Sequence, residues 1–175
     1  MLYKNSMEVD YRDLFKKFKI GTTIWSHLES GILTGKYINE TPPDSRAKLT
    51  NDNANSSFGI YMKNKAEWDG KLTKLKEIAE KKSGCELTTL AIAWCIANPD
   101  VSVYLLGDSK PAQLDDTFKA LEVYRTIDKD TWIEIEKVLD NASRGEVDYR
   151  YWKEFPSRRN VAMGIEYKKR RKIIV

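Results

Sequence analysis

Apolar residues recur at helical spacing along most of this chain and gather twice into short strand-like runs. In EVDYRDLFKKFK (8–19), Tyr11, Leu14, Phe15 and Phe18 stand at i, i+3, i+4 and i+7, which predicts a helix with one buried face, ending at Gly21. GTTIW (21–25) follows, β-branched and short enough for a buried strand. A Gly-punctuated turn, SHLESGILTGK (26–36), leaves it. Residues 38–65 are polar, with Pro42, Pro43 and the run NDNANSS, and read as a long loop. Residues 66–82 predict a helix with Trp68, Leu72, Leu75, Ile78 and Ala79 on one face, ended by Ser83–Gly84. Leu87–Ala97 predicts a more apolar helix, stopped by Asn98–Pro99. VSVYLL (101–106) is a near-continuous apolar run, the pattern of a buried parallel strand. A helix is expected from about Lys110, with Pro111 in its first turn and Leu114, Phe118 and Leu121 facing inward. Asp130 is the expected N-cap of a last helix through Asp140, burying Trp132, Ile135, Val138 and Leu139.

Strands alternating with helices predict an α/β fold with parallel strands, mostly helical by content. Two strands do not make an independent sheet covered on both faces, so the pattern reads as part of a larger sheet. The length of 175 residues otherwise fits one domain, and 41% hydrophobic residues can fill a core.

Charge changes the picture only locally. The net charge of +4 divides into eight Lys/Arg against two Asp/Glu in residues 151–175, and 22 against 24 in residues 1–150. The body is slightly acidic and the excess lies in a basic tail, so the overall charge does not argue for nucleic-acid binding. KKRRK (168–172) could mark a nuclear-localisation or acidic-surface patch; a solvated tail is the simpler reading. No run is apolar enough to span a bilayer, and MLYKNSMEVDYRD has no secretory core, so a cytoplasmic location is expected. Cys85 and Cys95 do not form a disulfide framework and read as small buried apolar residues. A single histidine, His27, excludes a His-rich metal site and makes a catalytic triad improbable; it reads as a turn residue.

The candidate chemistry lies at the C-terminal ends of the two strands. After Trp25 the turn carries Ser26, Ser30, Thr34 and Lys36, whose hydroxyls, backbone N–H groups and ammonium suit phosphate oxygens. Lys36 and Arg46 could add charge for a phosphate monoester. LLGDSKP repeats the idea, with Gly107, Ser109 and Lys110 before a helix.

The motifs WSxLxSGxLTGKY (25–37), PPxSR (42–46), LAIAWCxxNPxVS (90–102) and LLGxSxxxQL (105–114) stand in an order and at spacings that resemble the C-terminal half of aldo-keto reductases, in particular the group of voltage-gated potassium-channel β-subunits. The resemblance covers about residues 8–150. It implies an eight-stranded (β/α) barrel of which GTTIW is the seventh strand and VSVYLLG the eighth, the chain starting just after the sixth. It implies NADP(H) as cofactor, bound without a Rossmann fingerprint. Trp25 would then lie against the nicotinamide. Ser26, Leu28 and Glu29 would line the pyrophosphate turn, with Ser30 and Thr34 nearby. Lys36 would meet a phosphate and Arg46 would close over the adenosine end. Gly107, Ser109 and Gln113 would hold the 2′-phosphate region, with Asp116 and Thr117 near adenine and ribose.

This sequence departs from the family pattern at His27, where Pro is usual, at Glu29, where a small residue is usual, and at Asp116 and Thr117, where Glu and Asn are usual. Glu29 adds negative charge beside the expected pyrophosphate. The family's catalytic Asp, Tyr, Lys and His come from the first half of the barrel, so no catalytic residue is assigned in this chain. The expected activity is NADPH-dependent reduction of a carbonyl substrate if an N-terminal half completes the barrel, and no turnover from this chain alone. A potassium channel or another copy of the chain is a possible partner. The alternatives are a non-catalytic nucleotide-binding or partner-associating module, and a truncated product without activity. Residues 1–150 are expected to form the family domain and 151–175 a flexible tail.

Overall fold

A computed structural model describes residues 1–49, 56–108 and 110–141, without the side chains of Arg46 and Leu49. Ser109, the first five residues of the NDNANSS run and the basic tail lie outside the described residues.

A π-helical turn, Ser6–Asp10, leads into α1 (Arg12–Phe18), and β1 (Thr22–Ile24) follows. A 3-10 helix, Glu29–Thr34, occupies the turn after β1. Then come α2 (Arg46–Leu49), α3 (Ser57–Lys63), α4 (Lys65–Ser83), α5 (Leu87–Ile96), β2 (Val101–Tyr104), α6 (Pro111–Thr126) and α7 (Lys129–Leu139). β1 and β2 run parallel, with Thr22 opposite Val101 and Ile24 opposite Tyr104. An irregularity between Thr22 and Thr23 lets β2 carry one residue more. Gly21 makes this possible: a Cβ there would lie 1.7 Å from the Ser102 hydroxyl. The described chain is thus mostly helical, with a two-stranded parallel sheet.

The core is built on α5, the most apolar helix. Leu87, Leu90, Ala91, Ile92, Ala93 and Cys95 are all buried. Leu72, Leu75, Ile78 and Ala79 of α4 pack on one side, together with Ile135 and Leu139 of α7. Ala120 and Val123 of α6 pack against Ile92 and Ala93 on the other. α4 ends at Gly84 in the left-handed conformation, as the Ser83–Gly84 stop predicts. The start of the chain is tied down as well. Asn141 donates 3.0 Å hydrogen bonds to the carbonyls of Met1 and Leu2, and Lys4 pairs with Glu136.

Several expectations need correction. Of the predicted inner face of α1 only Phe15 is buried; Tyr11, Leu14 and Phe18 are exposed, because among the described residues no element packs over them. The helix ends on Lys19 in the left-handed conformation, not on Gly21. The stretch 38–65 is not one long loop. Ser56 accepts from Gly59 N–H at 3.1 Å as the N-cap of α3, which buries Phe58 and Tyr61. Lys65 then tethers the preceding segment by donating to the carbonyls of Tyr37 and Ile38 at 2.9 and 2.8 Å.

The second strand is less buried than its apolar run predicts, with Val103, Leu105 and Leu106 exposed. α6 turns the other way round. Thr117, Ala120 and Val123 are buried, while Leu114, Phe118 and Leu121 face outward. The small residues allow close approach to α5, and the larger stripe is left without cover among the described residues. The last helix is capped by Asp128, not Asp130: its carboxylate accepts from Thr131 N–H at 2.7 Å. Cys95 is buried and Cys85 half-buried, both as free thiols.

Candidate functional site

Both strands point their C-terminal ends at one cleft of about 610 Å³. The turn after β1 supplies Trp25, Ser26, Leu28, Glu29, Ser30, Thr34 and Lys36. The segment after β2 and the start of α6 supply Gly107, Gln113, Asp116 and Thr117. These are eleven of the thirteen positions expected to meet a cofactor. Ser109 lies outside the described residues. Arg46 opens α2, and its side chain lies outside the described part.

The turn after β1 has an unusual backbone. Ser26, Glu29 and Ser30 have φ of 56°, 48° and 56°, and Gly31 has 90°. Left-handed conformations cost non-glycine residues about 1–2 kcal/mol each, so surrounding contacts must hold the turn. Tyr37 does this from the core. Its ring is fully buried, 5.1 Å from that of Phe58, and its hydroxyl donates to the Ser30 carbonyl at 3.0 Å. Thr34 donates to the Gly31 carbonyl at 2.8 Å. The N–H groups of Glu29 and Gly31 close the turn on Ser26 and Leu28 carbonyls at 2.9 and 3.0 Å. Those of His27 and Leu28 meet no backbone acceptor among the described residues. Alternating right- and left-handed residues direct N–H groups to one side, a geometry suited to anions.

Lys36 belongs to the same turn. Its side chain folds back over Gly31, where a Cβ would stand 2.7 Å from Lys36 Cε and 3.0 Å from Nζ. Glycine at 31 therefore serves two needs, a positive φ and room for the ammonium. Trp25 is the most exposed large apolar side chain described, at 76%, and stands at the mouth of the cleft.

On the opposite wall Gln113 caps α6, accepting from the Lys110 N–H at 3.1 Å. Thr117 donates to the Gln113 carbonyl at 3.0 Å and lies 3.5 Å from an Asp108 carboxylate oxygen. Asp116 pairs with Lys119 at 3.1 Å. The described lining holds three carboxylates, Glu29, Asp108 and Asp116, against the single ammonium of Lys36.

Two residues of this site, Tyr37 and Asp108, were not singled out from the sequence, and His27 was read only as a substituted turn residue. Tyr37 closes the TGKY motif, so a signal existed. His27 also lines the cleft, its ring 4.3 Å from that of Tyr104 and its Nδ1 enclosed without a partner among the described residues. Burial lowers its pKa from the ordinary value, and Asp108 opposes that shift. Among the described residues no cluster of His, Cys, Asp and Glu suits a metal ion.

The family model for the aldo/keto reductase family matches residues 2–140, nearly the whole of the described chain. The chain belongs to the aldo/keto reductase family. It is also 34% identical over 151 residues to a probable voltage-gated potassium channel subunit beta of Oryza sativa subsp. japonica. That match takes in 84% of this chain and 44% of the rice protein, so the chain spans less than half the length of its relative. The expected family membership is therefore borne out. The cleft at the strand ends is where α/β folds with parallel strands hold their ligands.

Proposed function

We propose that this cleft binds NADP(H), and that the chain is the cofactor-holding part of an aldo/keto reductase barrel. The observation that carries this reading is the convergence of two strand ends on one cleft lined by eleven of the thirteen expected cofactor positions. The residues present fit the group in shape: a glycine-dependent turn, N–H groups of His27 and Leu28 without backbone acceptors, and the Lys36 ammonium folded over Gly31. In this reading the turn of Ser26, Leu28, Glu29, Ser30 and Thr34 takes the pyrophosphate, and Lys36 and Arg46 meet phosphate at the adenosine side. Gly107, Ser109, Gln113, Asp116 and Thr117 embrace the adenosine, while Trp25 offers its face to the nicotinamide. The cofactor supplies hydride exchange with a carbonyl carbon. This chain binds and orients it. The acid that protonates the carbonyl oxygen is contributed by the remainder of the family domain, together with the other six strands of the barrel.

The proposal extends to organisation. Residues 1–150 belong to the family domain and 151–175 form a separate basic tail. The carbonyl substrate is met only in the completed barrel, in the cytoplasm; among the described residues no helix is long and apolar enough to cross a membrane. The name of the rice relative supports a channel-associated role. A second reading, a partner-associating module without turnover, is favoured by the exposed apolar residues Val103, Leu105, Leu106, Phe118 and Leu121 beside an unpaired strand edge.

Titrating NADPH into the purified chain tests the first reading through tryptophan fluorescence, with Trp25 as the expected reporter. Saturable quenching that weakens several-fold in Lys36→Ala is the expected result. Absent saturation, or an unchanged curve in the variant, would overturn it. Oxidation of NADPH by a reactive aldehyde is expected to require the rest of the barrel; a measurable rate from this chain alone would refute that part.

A further inference from the structure

An anion entering this cleft meets an unfavourable field. Glu29 in the turn, Asp108 after β2 and Asp116 on α6 are acidic, and Lys36 is the one basic side chain among the described lining residues. Asp116 is offset by Lys119 at 3.1 Å, which leaves Glu29 and Asp108 close to the turn without a described basic partner. His27 shares its turn with Glu29, and Asp108 on the facing segment acts on its ring electrostatically. Its ring rests on Tyr104, and its enclosed Nδ1 has no hydrogen-bond partner among the described residues.

The other wall near His27 belongs to a smaller cavity of about 150 Å³ under β1, lined from the N-terminal segment by Met1, Tyr3 and Lys4 and from α5 by Cys95. Lys4 is engaged by Glu136 and Glu8, and burial lowers the pKa of the Met1 amine. Burial raises the phenols of Tyr3 and Tyr104, so both stay neutral. None of these groups offers the cleft a cation. The one group in the turn that can become cationic near neutral pH is the imidazole.

We propose that His27 is an anion-contacting residue of this cleft, and that a dinucleotide phosphate binds there together with one proton on its ring. The inference rests on the reading of the cleft as a dinucleotide site and adds to it a second cationic group beside Lys36 of the described lining. In the free chain burial holds the imidazole neutral, with its pKa below the ordinary value. A phosphate beside the ring favours the charged form and raises that pKa. The complex therefore binds more protons than the free chain, and affinity increases as pH falls from the bound-state midpoint to the free-state midpoint.

His27 is the only histidine in the sequence, so its titration can be read without assignment. The test is an NMR pH titration of the full chain, labelled in its histidine ring and carrying no histidine tag, with and without saturating NADP⁺. The expected result is a free midpoint below about 6.5 and a midpoint raised by about half a unit or more in the complex. Calorimetry from pH 8 to 6 should agree. Relative to His27→Gln and His27→Asn, the native chain should gain about 1.5- to threefold in affinity over that range for a half-unit shift, and more for a larger one. The comparison removes the titration of the ligand's own phosphate monoester, whose second pKa is about 6. Saturable binding with an unmoved imidazole midpoint overturns this inference and leaves the cleft reading intact. Absence of saturable binding at every pH overturns both.

Discussion

The imidazole of His27 lies against the phenol ring of Tyr104, centroids 4.3 Å apart and planes tilted by 38°. This contact joins the turn after β1 to the end of β2, and so fixes one wall of the cleft relative to the other. Its energy comes from ring packing, because the enclosed hydroxyl of Tyr104 has no oxygen or nitrogen partner among the described residues and faces only the weakly bonding thiol of Cys95. An enclosed hydroxyl without a good partner contributes little or is costly. Tyr104→Phe should therefore keep the stacking and change the urea unfolding free energy by less than about 1 kcal/mol, in either direction. A loss well above that would show that the hydroxyl has a strong partner. Tyr104→Ala, which removes the ring, should destabilise by about 3 kcal/mol or more.

Gly31 is the second position where geometry makes a sharp prediction. Its φ of 90° is strained for any other residue, and a Cβ would collide with the Lys36 side chain at 2.7 Å. Gly35, with φ of 75°, has nothing closer than 3.4 Å and serves as the control for backbone strain alone. Gly31→Ala should cost about 1–3 kcal/mol in urea unfolding, and Gly35→Ala somewhat less. Only Gly31→Ala should also weaken NADPH binding, because it displaces the ammonium. Equal binding by the two variants would separate Lys36 from the ligand.

Asp128 caps α7 with its carboxylate accepting from Thr131, and these hydrogen bonds hold its pKa below the ordinary value, with Lys82 adding to the effect. A carboxyl with a depressed folded-state pKa stabilises the fold above its unfolded pKa and loses that contribution as pH falls through the folded value. The chain should therefore lose this contribution only below about pH 4. Asp128→Ala should lower Tm by about 2–4 °C at pH 7, and the difference should shrink as pH drops. Asp128→Asn keeps a capping oxygen but cannot titrate, so its Tm should approach that of the native chain at low pH. A constant gap between native chain and Asp128→Ala down to pH 3 would contradict the assignment.

These outcomes bear on what the residue pattern could and could not reveal. The face of α4 was legible because its apolar stripe packs on described neighbours, α5 was legible as a helix from its apolar run alone, and the cleft was legible because its turn motifs are dense and ordered. α3 was not, since its cap, Ser56, sits within a polar run that reads as loop, and only the burial of Phe58 and Tyr61 shows the helix has a purpose. α6 was misread for a different reason. Periodicity locates an apolar stripe but not the surface that covers it. Leu114, Phe118 and Leu121 form the stronger stripe, yet Thr117, Ala120 and Val123 are the residues small enough to let α6 approach α5. The same limit applies to His27, whose role depends on Tyr104 and Asp108 from a distant part of the sequence.

The uncovered stripe of α6 carries the last prediction. Phe118 and Leu121 line a groove of about 260 Å³ with Val103 and Leu106 of the β2 side, and all four are exposed. Exposed apolar groups gain little from folding, so replacing them should leave stability nearly unchanged. Their grouping, however, makes a surface that an environment-sensitive apolar dye can occupy. The double variant Phe118→Gln, Leu121→Gln should therefore bind markedly less dye and shift the unfolding free energy by under about 1 kcal/mol. Ala120→Leu, one residue away on the packed face, should cost about 1–3 kcal/mol by overfilling the contact with Ile92 and Ala93. If the double variant were the more damaging of the two, the larger stripe would be the packed one and this orientation of α6 would be wrong.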